Sequence, residues 1–209
     1  MTLRPLLLSP NAKWILNLVM ALPLAWLVWA VFNDALGANP AEALSRSTGD
    51  WTLRFLVLVL AVTPLRLITR TPELIRFRRS IGLAAFFYGC LHLLCYAWFD
   101  QNLDMADIAK DLVKRPFIWL GMLCFVLMLP LALTSSNAAI RWLGGKRWLQ
   151  LHKLVYALPL FALLHFYWMR AGKNNFAEVW VYAFIFGVLL GYRVWRLIRS
   201  RRLEKQNHL

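Results

Sequence analysis

The sequence predicts an all-α integral membrane protein, a six-helix transmembrane bundle with both termini in the cytoplasm. Three observations predict it. Hydrophobic residues fill 60% of the 209 positions and charged residues only 16%, against about 25% in an average soluble domain. The apolar residues gather into six runs, each close to the ~20 residues that a helix needs to cross a hydrocarbon core. Lys and Arg concentrate in every second interval between those runs. Helices are expected because lipid offers no partner for exposed backbone N–H and C=O groups.

The first span is expected near residues 13–32. Arg4 and Lys13 ahead of it, and the small residues ALGA at 35–38, resemble a secretory leader. The apolar run is longer than a leader's core, so the segment is expected to persist as a helix. Further spans follow near 51–69, 80–99, 117–134, 150–169 and 176–195, and a basic tail at 196–209 completes a single domain covering 1–209. Pro23, Pro64, Pro130 and Pro159 lie inside or near the ends of spans. Each is expected to bend its helix, which neighbouring helices tolerate in a bundle.

Orientation follows from the intervals. Residues 66–79 hold Arg66, Arg70, Arg76, Arg78 and Arg79 against Glu73 alone. The next interval on that side holds Arg141, Lys146 and Arg147, and the tail region holds Arg193, Arg196, Arg199, Arg201, Arg202 and Lys205. The opposite side carries Asp34, Glu42 and Asp50 in one loop. Its other loop has Asp100, Asp104, Asp107 and Asp111 beside Lys110, Lys114 and Arg115. An excess of Lys and Arg marks the cytoplasmic face. Arg170 and Lys173, in the short loop 170–175, run against the pattern. The net charge of +14 is spread through short loops between apolar runs, so its partner is anionic lipid and no nucleic acid is expected. Cys90, Cys95 and Cys124 all lie in spans without C-x-x-C spacing, which points to packing residues and no disulfide framework.

Three of the four histidines fall in spans; His208 lies in the tail. His92, in the third span, is expected ~10 Å below its outer end, and His165, in the fifth, ~8 Å below its own, at 1.5 Å per residue. Two imidazoles at matched depth on two helices could hold one metal or haem iron from opposite sides. His152 lies ~20 Å from His165 along the same helix, near Lys146, Arg147 and Lys153 and on a different face. No histidine of the third span matches it; that level holds Arg78 and Arg79. These bases suit haem propionates or a flavin phosphate as well as a topology signal. A single membrane histidine often only packs or bonds a carbonyl. A zinc enzyme would want a third protein ligand and a carboxylate base, and no Asp or Glu lies deep in a span. Haem suits an apolar, aromatic-lined bundle with axial histidines better. A transporter using the histidines as a proton relay stays open.

Several segments carry a resemblance: TPLR (63–66), LIRFRRSIGL (74–83), LHLLCYA (91–97), RPFIWLG (115–121), LALTS (131–135) and GKRWLQLHKLVY (145–156). They resemble the MsrQ (YedZ) family of haem-binding membrane subunits, within the wider ferric reductase-like transmembrane domains. The likeness runs from TGDW at 48–51 to the sixth span. It implies a Gram-negative inner-membrane protein that binds b-type haem, one or two, and FMN. It implies electrons taken from the quinone pool or a cytoplasmic flavin reductase. The implied acceptor is MsrP, a periplasmic molybdenum enzyme that reduces methionine sulfoxide in oxidised proteins. His92, His152 and His165 match family histidines. They are expected as haem-iron ligands: His92 with His165 for an outer haem, His152 as ligand or neighbour of an inner centre. No Gly-rich phosphate loop marks an FMN site. The chain is expected to lack the flavin and nicotinamide domain of many relatives, and the acidic outer loop, Asp100 to Asp111, is expected to help dock MsrP. A stand-alone reductase of external ferric ions is the alternative within the same fold.

Overall fold

The computed structural model describes residues 4–172 and 174–206. Lys173 and His208, both weighed above, lie outside the described residues. Ten α-helices are present among them: α1 (Arg4–Leu8), α2 (Pro10–Phe32), α3 (Pro40–Ile68), α4 (Arg78–Cys95), α5 (Met105–Lys114), α6 (Pro116–Leu133), α7 (Asn137–Leu143), α8 (Gly145–Leu151), α9 (Leu158–Ala171) and α10 (Ala177–Gln206). Short 3₁₀ segments at Pro72–Phe77 and His152–Tyr156 lead into α4 and α9, and a π turn at Tyr96–Asp100 follows α4. Six segments are long and apolar enough to cross a membrane: Pro10–Phe32, Pro40–Ile68, Pro72–Asp100, Pro116–Leu133, Gly145–Ala171 and Ala177–Arg202. No strand occurs among the described residues.

Several elements differ from the sequence expectation. α10 continues as helix to Gln206, through most of the segment expected as a tail, and a 3₁₀ segment at His152–Tyr156 separates α8 from α9, so His152 and His165 do not share one α-helix. The second crossing helix starts at Pro40, not near residue 51, because Asn39 caps it by accepting from Glu42 N–H at 3.2 Å. Pro40 then occupies the first turn, where a missing N–H costs nothing. At 29 residues and 1.5 Å each, α3 is longer than a ~30 Å hydrocarbon core requires. Its polar early turns, Ser45 to Asp50, therefore become part of the bundle. The interval 100–115 also holds a helix, α5, whose N-cap Asp104 accepts from Ala106 and Asp107 N–H.

α3 packs most extensively on α4, and α6 on α9, so the core is two helix pairs joined through α4 and α6. Its centre is apolar and aromatic: Phe55, Leu56, Leu60, Tyr88, Leu158 and Phe186 are all nearly inaccessible. Trp14, Leu18, Leu22, Trp26 and Trp29 stay exposed along α2, a face for lipid.

At two of the prolines, side chains from other helices reach the helix backbone. Near Pro23 the Tyr88 hydroxyl enters the ladder of α2, donating to Met20 O at 2.9 Å and accepting from Leu24 N–H at 3.0 Å. α2 is thereby fastened to α4. Pro64 has no N–H for the Leu60 carbonyl four residues earlier, and Arg193 of α10 donates to that carbonyl at 2.9 Å. A freed carbonyl without a partner in lipid would cost several kcal/mol.

Candidate functional site

His92 on α4 and His165 on α9 come together, with ring centroids 6.1 Å apart and planes at 82°. Each ring is fixed by a backbone carbonyl of the paired helix. His92 Nδ1 lies 2.8 Å from Ser45 O on α3, and His165 Nδ1 lies 2.5 Å from Phe117 O on α6. A carbonyl only accepts, so each Nδ1 carries the proton and donates it. Each Nε2 keeps its lone pair for a metal.

Two glycines make the seats. A Cβ at Gly49 would lie 3.1 Å from His92 Cε1 and Nδ1, and one at Gly121 would lie 2.8 Å from His165 Cε1. Ordinary side chains there would push the rings out of place. The π turn at Tyr96–Asp100 begins four residues after His92, where Tyr96 N–H bonds back to both His92 O and Leu93 O. Such insertions in a helix are frequent at functional sites.

The geometry of the pair suits an iron porphyrin. Two metal–imidazole bonds of about 2 Å each, meeting at one ion, hold ring centres roughly 6 Å apart. The observed separation agrees, and the free Nε2 atoms are the donors required. No group of three or more His, Cys, Asp or Glu able to hold a metal occurs among the described residues. A two-nitrogen donor set suits an ion that brings its other ligands with it, as haem iron does. The residues present therefore fit haem.

His152 is not part of this pair. It lies in the wall of a separate cavity of ≈ 1660 Å³. The apolar interior of that cavity includes Val59, Ala85, Phe86 and Met128, and its rim carries Arg78, Arg79, Lys146, Lys153, Arg196 and Arg201. Among the described residues no Asp or Glu lines it. Trp148 stacks on the His152 ring at 4.0 Å, and its indole N–H donates to Thr134 O at 2.8 Å. His152 Nε2 lies 3.0 Å from Thr134 Oγ1, whose own hydrogen goes to Pro130 O at 2.6 Å. The hydroxyl therefore accepts from Nε2–H, and Nδ1 is the nitrogen left with a lone pair. This is the opposite tautomer to the outer pair.

The cavity accepts a large, flat, partly apolar and anionic molecule by size and charge. Arg193, also in its wall, is committed elsewhere, to Leu60 O and to the Tyr156 hydroxyl. The three cysteines are free thiols. In the interval 100–115 three of the four aspartates have work within the chain. Asp104 caps α5, and Asp107 holds Lys110 at 2.9 Å. That bond raises the Lys110 ammonium's hold on its proton. Asp111 accepts from Gln101 at 2.6 Å and pairs with Arg115 at 3.4 Å.

Sequence reasoning missed Gly49, Gly121, Thr134 and Trp148. Each stands inside a segment that carries the resemblance, and none belongs to a residue type that advertises chemistry.

The family of ferric reductase like transmembrane components matches residues 48–165. That interval contains both glycine seats and all three membrane histidines. Among curated proteins, the protein-methionine-sulfoxide reductase heme-binding subunit MsrQ of Polaromonas naphthalenivorans is 64% identical, over 97% of this chain and 92% of its own length. The MsrQ of Ralstonia nicotianae is 52% identical over 91% of this chain and 87% of its own, and that of Herminiimonas arsenicoxydans 48% over 94% and 89%. No solved structure matches the chain.

Proposed function

The chain belongs to the ferric reductase-like family of MsrQ subunits, and on that premise we propose that it is the b-type haem-binding membrane subunit of a methionine sulfoxide reductase system. The observation that carries this reading is the outer pair: two imidazoles 6.1 Å apart, each with Nδ1 tied to a carbonyl and Nε2 free. His92 and His165 would hold the iron. Bound haem supplies a one-electron carrier that needs no nucleophile or general base from the protein.

The chain's own residues do the rest. Ser45 and Phe117 carbonyls orient the rings, Gly49 and Gly121 let them approach the helices, and the apolar bundle excludes water. In this reading both termini are cytoplasmic and the membrane is the bacterial inner membrane. The histidine pair is then near the periplasmic face, within reach of a periplasmic molybdenum partner, MsrP. That partner would receive the electrons and reduce methionine sulfoxide in oxidised proteins back to the thioether. The basic cavity beside His152 opens on the cytoplasmic side. Its Arg and Lys rim suits the phosphate of FMN or the propionates of a second haem. There electrons would enter from quinone or from a cytoplasmic flavin reductase.

The test is a reduced-minus-oxidised spectrum of the purified protein, with haem and flavin extracted and counted per chain. The expected result is a spectrum of haem held by two imidazoles, lost in His92→Ala and in His165→Ala. A colourless wild-type protein would overturn the reading and favour a histidine proton relay. Rapid reduction of a ferric chelate with no partner protein would turn it toward a stand-alone reductase.

A further inference from the structure

A second polar cluster links α3, α9 and α10 and has no part in holding the rings. Arg170 of α9 is only 5% exposed, although it carries a full charge. It forms an ion pair with Glu178 of α10 and sits over the Phe166 ring, 5.2 Å from its centroid. Its Nε–H is buried with no hydrogen-bond partner. Asp50 of α3 is within electrostatic reach of Arg170, Glu178, Arg54 and Arg46. Arg54 lies over Trp51 at 4.6 Å, and its charge also bears on Tyr182 of α10.

This cluster shares two helices, α3 and α9, with the residues that hold the pair. Asp50 is the neighbour in sequence of Gly49, the seat of the His92 ring, and its charge is felt at that ring. Arg170 is in the same helix as His165, little more than one turn beyond it. Asp100, at the end of the π turn, is the other carboxylate whose charge reaches His92. Burying an arginine is expensive, and an ion pair only partly offsets that cost. If the cluster served solely to fasten α10, apolar packing would serve as well. A fixed charge in a low-dielectric site also acts on any neighbouring centre that changes charge.

We propose that Arg170, Glu178 and Asp50 form an electrostatic network that sets the reduction potential of the iron held by His92 and His165. The inference rests on the haem reading above. Reduction adds one negative charge at the iron. The Arg170 guanidinium favours that state, and the Glu178 and Asp50 carboxylates oppose it. Arg170 is a positioning and tuning group, not a ligand.

The experiment is an optical redox titration of the purified, haem-loaded full chain. Arg170→Gln should lower the midpoint potential; Glu178→Gln and Asp50→Asn should each raise it; the double variant Arg170→Gln/Glu178→Gln should fall between its two parents. Haem content and the bis-imidazole spectrum should stay at the wild-type level throughout. Shifts of opposite sign are the signature, because general loosening of the bundle would move all variants the same way. Arg170→Lys keeps the charge and should return most of the shift, which covers the case in which Arg170→Gln does not accumulate. Unmoved midpoints, or shifts of one sign only, with haem retained, overturn this inference and leave the haem assignment standing. Absence of haem from the wild-type chain overturns the assignment itself.

Discussion

At one end of the bundle, His92 and His165 donate Nδ1–H to backbone carbonyls of neighbouring helices and leave Nε2 free. At the other end, His152 donates Nε2–H to the Thr134 hydroxyl and stacks on Trp148. Residue type is the same, yet the partner decides which nitrogen remains a ligand. A carbonyl of a different helix also fixes a ring across an interface. His152, by contrast, bonds a residue whose carbonyl already receives the indole of its own stacking partner, so ring, indole and hydroxyl form one local unit. The outer site has the form of a clamp between two helix pairs; the inner one is a wall of a basic cavity.

The contrast is broken most directly at the rings. His92→Ala or His165→Ala should abolish haem binding at the outer pair, while His152→Ala should leave it and lower flavin or haem retention in the inner cavity. Cofactor content per chain and the visible spectrum decide this, and equal loss in all three variants would erase the distinction. Next come the seats. Gly121→Ala sets a methyl 2.8 Å from the His165 ring, whereas Gly49→Ala sets one 3.1 Å from His92. Gly121→Ala should weaken haem retention by about tenfold or more, some ~1.4 kcal/mol, and Gly49→Ala by less. Competition with a haem-scavenging apoprotein measures both.

A smaller effect, on stability and not on the outer haem, is expected from Arg193→Met. The Leu60 carbonyl freed by Pro64 would lose its donor, at a cost of about 1–3 kcal/mol. Thermal unfolding in detergent would report it, and an unchanged midpoint would mean that water or a neighbouring group replaces the guanidinium. The smallest effect is that of Thr134→Val, about 0.5–1.5 kcal/mol for one neutral hydrogen bond. Nitrogen NMR of labelled imidazole should show His152 released from the Nε2–H form, with the outer pair unchanged.

Much of this was legible along the chain. Six apolar runs, the matched depth of His92 and His165, and the isolation of His152 among basic residues all follow from one-dimensional spacing at 1.5 Å per residue. The apolar run of the second span begins near residue 51, eleven residues after α3 itself starts at Pro40. The segment 40–50 is too polar to register as a span, although Asn39-Pro40 with Glu42 is a helix-start signal. α5 was read as a loop because its apolar positions are few and its charges many. Within the interval 100–115, the bonds of the aspartates to Gln101, Lys110 and the α5 backbone depend on geometry that residue order does not display. Gly49 and Gly121 stood in plain view within TGDW and RPFIWLG, but a glycine carries no mark of what presses against it.

By itself the sequence determined that this is a helical membrane bundle, where its charges fall, and which imidazoles share a depth, because lipid permits only helices here and helices convert residue count into height. Only the tertiary structure decided which carbonyl each ring bonds, which nitrogen stays free, and that Arg193 completes a proline-broken helix 133 residues away. Those outcomes depend on rotation and approach of neighbouring helices, which packing sets and residue order alone does not encode.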